Sequence, residues 1–286
     1  MKRWKSFHIF YQNFQKIDNL IEIITQECQV YQQDNLIDKW FYIRYWVDGP
    51  HIRLRLLCES TFFPQQLIEK VSHYIENNRT SKAISKEDYY SRMSKFKEVE
   101  DIKALLWHEE GKIVPYQYKP EYERYGGAEV MEISETMFMF SSKLANWIQK
   151  NTNKFELRLF FSICLSRQLV KSICIFNNYN DLKNTLDSNI TFWEELMDED
   201  NLKIREYLKK NELILSEIEG ILKKEDLVNH YLLKMIENFE KVKEIVKDKE
   251  YINSIAMSHI HMFNNRMGIV PVYECEILRW IKENLG

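Results

Sequence analysis

Three short stretches of the sequence hold residue types suited to binding an anion or moving a proton. In Gly49-Pro50-His51-Ile52-Arg53-Leu54-Arg55-Leu56, the two-residue period of a strand sets His51, Arg53 and Arg55 on one side and Ile52, Leu54 and Leu56 on the other. Two arginines so close repel each other, and an anionic ligand would relieve that repulsion. Guanidinium groups also hold carboxylates through paired hydrogen bonds. The strip reads either as a carboxylate-recognition surface or as the solvated side of an antiparallel sheet. The second stretch, Tyr118-Lys119-Pro120-Glu121-Tyr122-Glu123-Arg124-Tyr125-Gly126-Gly127, gathers acids, phenols and an arginine in a loop that two glycines can bend sharply. It could hold a ligand, or be a structural loop in which Glu121 or Glu123 pairs with Arg124. The sequence does not choose between those two acids. In Ser258-His259-Ile260-His261-Met262-Phe263-Asn264-Asn265-Arg266, helical spacing puts His261 and Asn265 on one face, with Arg266 one step round. That face would orient His261 for proton transfer, or the ring could be an ordinary packing residue. A His-x-His pair without nearby acids is a weak metal motif, and no metal site is expected.

The elements that must carry these residues change character along the chain. Ser6 to Tyr11 reads as a strand, Asp18 to Tyr31 as a helix, and Trp40 to Trp46 as a β-branched and aromatic strand. Asp48-Gly49-Pro50 turns the chain, so that Trp40 to Cys58 forms a β-hairpin, and a helix starts near Pro64. Ile113 to Tyr125 suits a strand leading into an ordered, irregular loop closed by Gly126-Gly127. From Ala128 onward the period is helical, over Glu129 to Lys150, Phe155 to Phe176, Ile190 to Lys210, Leu227 to Val246 and Ile252 to Arg266. A break from Gly268 to Pro271 precedes a last helix, Val272 to Asn284. The predicted class is α+β: an N-terminal, antiparallel-containing sheet with helices, then a mainly helical second half. Seven glycines and five prolines are scattered without a repeat or linker, so a single domain over 1–286 is expected, α/β-rich to 127 and mainly helical over 128–286.

Composition removes several classes of function. With 45% hydrophobic and 14% aromatic residues, the chain can bury a core without covalent staples. Its 40 basic and 43 acidic side chains nearly cancel, and no long basic run is interleaved with aromatics, which disfavours direct nucleic-acid binding. Cys28, Cys58, Cys164, Cys174 and Cys275 are odd in number and lack CxxC spacing, as reduced core thiols would. Met1-Lys2-Arg3-Trp4-Lys5 starts like a signal peptide, but His8, Gln12, Asn13 and Gln15 interrupt any apolar run. A cytoplasmic location without a membrane span is expected.

Taken together and in order, Trp40-Phe41-Tyr42-Ile43-Arg44-Tyr45 with His51-Ile52-Arg53-Leu54-Arg55, the Tyr118 to Gly127 loop, and His261-Met262 through Asn265-Arg266 make a specific set. In that set the chain resembles the SpaB C-terminal, or thiopeptide-type bacteriocin biosynthesis, family. Trp4-Lys5-Ser6-Phe7-His8 and the Glu135 to Ser142 helix, with Phe138 and Ser142, extend the resemblance over nearly the whole chain. The family includes the C-terminal part of class I lantibiotic dehydratases, stand-alone elimination proteins of split systems, and more divergent thiopeptide cyclases. In the dehydratases a separate module moves glutamate from glutamyl-tRNA onto a peptide Ser or Thr hydroxyl. The C-terminal module then removes it by β-elimination, leaving dehydroalanine or dehydrobutyrine.

The resemblance implies a stand-alone glutamate-elimination enzyme, a lyase, with Arg53, Arg55, Glu121, Arg124 and His261 as its catalytic set. Around them, Arg44, His51, Tyr125, Asn265 and Arg266 are expected to bind substrate. Arg53 and Arg55 would hold the glutamyl group and the leaving carboxylate, and Arg124 would assist that pocket or the enolate. Glu121 would orient a cation or join in proton transfer. His261 is the leading proton-transfer residue, its direction left open. No cofactor is expected, since the glutamyl ester already supplies the leaving group. The partners implied are a ribosomally made precursor peptide and a separate glutamyl-tRNA-dependent glutamylation protein, with no specific direct tRNA binding. Two other readings stay open: a thiopeptide or pyritide (4+2) cyclase acting on dehydroalanines, and a noncatalytic peptide-binding subunit. Retention of the charged set favours elimination over cycloaddition.

Overall fold

Alternating residues near the N-terminus become strands in the computed structural model, which describes residues 1–93, 105–152, 154–176, 178–196 and 202–284. The chain divides into two units, Met1–Pro120 and Glu121–Gly286. In the first, β1 (Lys2–Phe10), β2 (Ile37–Tyr45), β3 (His51–Glu59) and β4 (Ile113–Tyr116) join in an antiparallel sheet of order β2-β3-β1-β4. Helices α1 (Ile17–Gln33), α2 (Gln65–Asn77) and α3 (Lys86–Met93) accompany it among the described residues. The fold is α+β, as expected. The β2–β3 hairpin turns where Asp48 and Gly49 take positive φ, 65° and 104°, a conformation that Asp and Gly tolerate better than most residues.

Register decides what each face of the sheet carries. Phe7 lies opposite Leu54 and Ile9 opposite Ile52, while Trp40 and Tyr42 face Leu56 and Leu54, so these side chains share one face. They are buried with Leu20, Ile21 and Ile24 of α1 and Leu67, Val71 and Ile75 of α2. On the other face Ser6 lies opposite Arg55, His8 opposite Arg53 and Phe10 opposite His51, with Phe41, Ile43 and Tyr45 alongside from β2 and Tyr116 from β4.

The second unit consists, among its described residues, of helices: α4 (Ala128–Asn151), α5 (Phe155–Ile173), α6 (Tyr179–Leu196), α7 (Leu202–Lys210), α8 (Leu213–Lys224), α9 (Asp226–Ile245), α10 (Lys249–Arg266) and α11 (Pro271–Glu283). The predicted stretch from Ile190 to Lys210 coincides with the end of α6 and the whole of α7, and 197–201 lie outside the described residues. Pro271 opens α11 at a position where its missing N–H costs nothing. α4 packs against α9 and α10, and α11 against α5 and α6. α10 is buried on most sides through Ile252, Ile255, Ala256, His259, Ile260, Phe263 and Asn264. No helix among the described residues is long and apolar enough to cross a membrane.

Candidate functional site

The arginine strip is not a solvated sheet face. His51 and Arg55 are buried at 1% and 8% exposure, and Arg53 is half-buried. Aromatic residues of β2 and of the segment after β4 surround the strip. The Arg53 guanidinium carbon lies 3.3 Å from the Tyr45 ring centre, and that of Arg55 lies 5.5 Å from Phe41 and 4.9 Å from Tyr118. Rings of this kind attract a cation through their negative faces and hold its plane, so both forks are oriented by the sheet itself.

His51 aligns Arg53. Its Nδ1 is 2.8 Å from the Gly49 carbonyl oxygen, which can only accept, so Nδ1 carries the proton. Nε2 then has a lone pair, and Arg53 Nε donates to it at 3.1 Å. Burial pushes the His51 pKa down to about 3, outweighing the Gly49 hydrogen bond, with Arg53, His108 and Arg55 adding to the depression. A neutral ring is the form that both hydrogen bonds require. His8 stacks between His51 and Tyr116 at 4.7 and 4.0 Å, and burial, with the neighbouring histidines and arginines, drives its pKa down to about 2.

Arg44 stands elsewhere. It pairs in register with Ile52, on the opposite face from Arg53 and Arg55, and closes a salt bridge of 2.5 Å with Asp18 of α1. A strand's alternation separates Arg44 from its neighbours in sequence, so its expected place beside the substrate-binding arginines is not where the strand turns it.

In the second unit the Glu121 to Gly127 loop is drawn onto α10. Arg124 Nη1 donates to Glu121 Oε2 at 3.2 Å, which picks Glu121 over Glu123 as its partner, and Arg124 Nε donates to Ser258 Oγ at 3.2 Å. The Tyr251 hydroxyl donates to the Glu123 carbonyl. Gly126 permits the close approach: at φ 85°, an added Cβ would lie 3.1 Å from Ile255, 3.2 Å from Val246 and 3.3 Å from Val130. Burial works against the Arg124 charge, but Tyr125, Glu121 and Glu274 outweigh it and hold the guanidinium pKa above its usual value.

Ser258 and His261 are one turn apart on α10, so the loop cation and the histidine lie on neighbouring positions of one helix. The His261 ring is partly exposed, its Nδ1 is 2.8 Å from Glu274 Oε2, and Trp193 packs on it with ring centres 4.7 Å apart. Glu274 was missed in the sequence, where the histidine pair looked acid-poor. Its sequence signal is slight: it is one of two acids, with Glu276, that flank Cys275 in the buried stretch of the last helix.

Tyr125, Asn265 and Arg266 differ in their surroundings. Tyr125 is 2% exposed, packs on Phe138 and His259, and has its pKa pushed up to about 12, chiefly by burial. Asn265 is half-buried one turn beyond His261. Arg266 is fully buried. Its Nε donates to Ser142 Oγ at 3.1 Å, its Nη1 donates to the Met262 carbonyl at 2.7 Å, and its guanidinium carbon lies 5.0 Å from the Phe138 ring centre. Tyr125 and Arg266 thus pack against α10 from inside the second unit. The five cysteines are all buried and free.

Comparison with known proteins gives a concordant set of likenesses. The model of the lantibiotic biosynthesis dehydratase C-terminal family matches residues 4–283. The epidermin biosynthesis protein EpiB of Staphylococcus epidermidis is 28% identical over 99% of this chain and 26% of its own length. The nisin biosynthesis protein NisB of Lactococcus lactis subsp. lactis is 27% identical over 82% of this chain and 20% of its own. The chain therefore spans about a quarter or less of the curated relatives it matches. Among solved structures, the pyridine synthase TbtD from thiomuracin biosynthesis has the same fold, with TM-score 0.73 over 98% of this chain and 97% of that one at 11% identity. The tRNA-dependent lantibiotic dehydratase MibB from Microbispora sp. 107891 aligns with TM-score 0.54 and 15% identity over 99% of this chain and 28% of that one.

Proposed function

This chain belongs to the lantibiotic biosynthesis dehydratase C-terminal family, and we propose that it performs the elimination half of peptide dehydration, removing glutamate from a glutamylated Ser or Thr. The observation that carries this reading is the meeting of Arg124 with α10 at Ser258, one turn from His261. A proton acceptor and a fixed cation at neighbouring positions are what α-proton removal next to a carbonyl requires.

In the proposed reaction His261 takes the α-proton, and the electrons of that C–H bond form the Cα=Cβ double bond as the Cβ–O bond breaks. Glutamate leaves as a carboxylate, and His261 later returns its proton to water. Arg124 stabilises the negative charge that develops on the peptide carbonyl oxygen, and Glu121 holds Arg124 in place. Arg53 and Arg55 receive the glutamyl carboxylates, their forks already oriented by Tyr45, Phe41 and Tyr118. His51 acts through Arg53, whose Nε it fixes. The precursor peptide is the substrate, and a separate glutamyl-tRNA-dependent protein makes the ester.

The solved relatives favour one second reading, because the pyridine synthase shares the fold over the whole chain. Such an enzyme would consume an already dehydrated peptide. With glutamylation partner, precursor and glutamyl-tRNA all present, replacing Arg53, Arg55 or His261 with Ala is expected to let glutamylated peptide accumulate, seen by mass. The loss of one charge-assisted contact removes ~3–4 kcal/mol of transition-state stabilisation, slowing elimination by ~10²–10³. Dehydration at the unmutated rate in these variants would remove the assignment.

A further inference from the structure

We propose that Glu274 is the positioning residue of His261, fixing the imidazole so that Nε2 is the nitrogen that takes the substrate proton. The inference rests on the elimination reading above and adds a residue that this reading does not require. Its ground is geometric. Nδ1 of His261 and Oε2 of Glu274 are 2.8 Å apart, and an ionised carboxylate can only accept, so Nδ1 bears the proton and Nε2 the lone pair.

Several features set the carboxylate beside the ring and hold the ring still. Glu274 is 1% exposed, so water does not compete for it, yet it sits in the first turn of α11, where the helix N-terminus favours negative charge. Arg124, from the loop before α4, lies close enough to act on Glu274 through its charge. From α6 the ring meets the uncharged indole of Trp193, and one turn earlier on α10 stands the uncharged Ser258. The His261 side chain is 18% exposed against 1% for that of Glu274, so the ring's open part looks outward and its acid inward.

The arrangement acts on the reaction rather than on the resting protein. As Nε2 takes the α-proton, the ring becomes an imidazolium beside a fixed anion in a water-poor place, where such a contact is worth more than in solvent. An apolar residue at position 274 would leave the ring free to choose its tautomer, and the tautomer with hydrogen on Nε2 offers no lone pair to the substrate.

The test uses the whole chain, labelled with ¹⁵N-histidine, and a synthetic peptide carrying a glutamyl ester on one serine. Long-range ¹H–¹⁵N spectra of the neutral form should place the His261 proton on Nδ1, and in Glu274→Leu it should move to Nε2. In the same variant kcat for glutamate loss should fall on the order of 10²-fold with KM unchanged. Should the leucine variant not fold, Glu274→Gln keeps the shape without the charge, and kcat should fall there with the same pattern. An unmoved tautomer, or an unmoved kcat in Glu274→Gln, overturns the assignment to Glu274 while elimination by the unmutated protein stands. Conversely, a tautomer that follows Glu274 in a protein that never releases glutamate sustains the positioning role and removes the elimination reading.

Discussion

At the scale of single residues, the site separates charges that matter by their geometry from charges that only balance. Arg53 sits over the Tyr45 ring with its Nε fixed by His51, and a lysine there would keep the charge but lose the planar fork. Arg53→Lys should therefore lower kcat/KM for a glutamylated peptide by ~10–10²-fold, against which Arg44→Ala is the control. Arg44 is on the other face of the sheet and should leave kcat/KM unchanged. Equal losses in the two variants would show that position on the sheet does not matter. The alternation of His51, Arg53 and Arg55 was legible because a strand has a fixed period. Their burial was not, since it comes from Phe41 and Tyr45 across the hairpin together with Tyr116 and Tyr118, which are far on in sequence. Glu274 was illegible for the same reason: the acid that completes His261 comes from the next helix. The burial of Arg266 was not legible, because Ser142 and Phe138, which enclose it, come from α4.

The elements show where packing overrules local preference. Most strands and helices fell close to the predicted stretches, but α8 was not expected and α6 begins at Tyr179 rather than near Ile190. The first turns of α6, rich in Asn, Asp and Thr, are poor helix formers. They are held because Leu182, Leu186 and Ile190 recur at helical spacing and are buried where α6 packs on α11. The Glu121 to Gly127 loop depends on Gly126 in the opposite sense, since its backbone conformation and its neighbours both exclude a side chain. Gly126→Ala should cost roughly 2–3 kcal/mol of unfolding free energy from positive φ and overpacking together. Urea denaturation measures this. A variant as stable as the unmutated protein would show that the loop reaches α10 without that glycine.

Across the whole molecule, three buried histidines make stability depend on pH. His8, His51 and His259 have pKa values pushed down to about 2, 3 and 3, in each case first by burial. The unfolded chain binds those protons near pH 6.5 and the folded chain does not. Their contribution is thus complete above pH 6.5 and is lost as the pH falls toward 3, at about 1.4 kcal/mol per pH unit for each histidine. Two of the three lie in the first unit, so urea midpoints read from probes there should fall the more steeply between pH 6 and 4. A midpoint that stays level or rises over that range would contradict the neutral, buried rings.

The fold does not by itself choose the reaction, since a pyridine synthase shares it at 11% identity. The choice rests on the charged set and on what the protein does with a glutamyl ester. The direct measurement incubates this protein alone with two synthetic peptides, one glutamylated on serine and one already containing two dehydroalanines, and follows both by mass spectrometry. Loss of glutamate from the first, with formation of dehydroalanine and no change in the second, is the predicted result. An untouched glutamylated peptide together with cyclisation of the dehydrated one would contradict it.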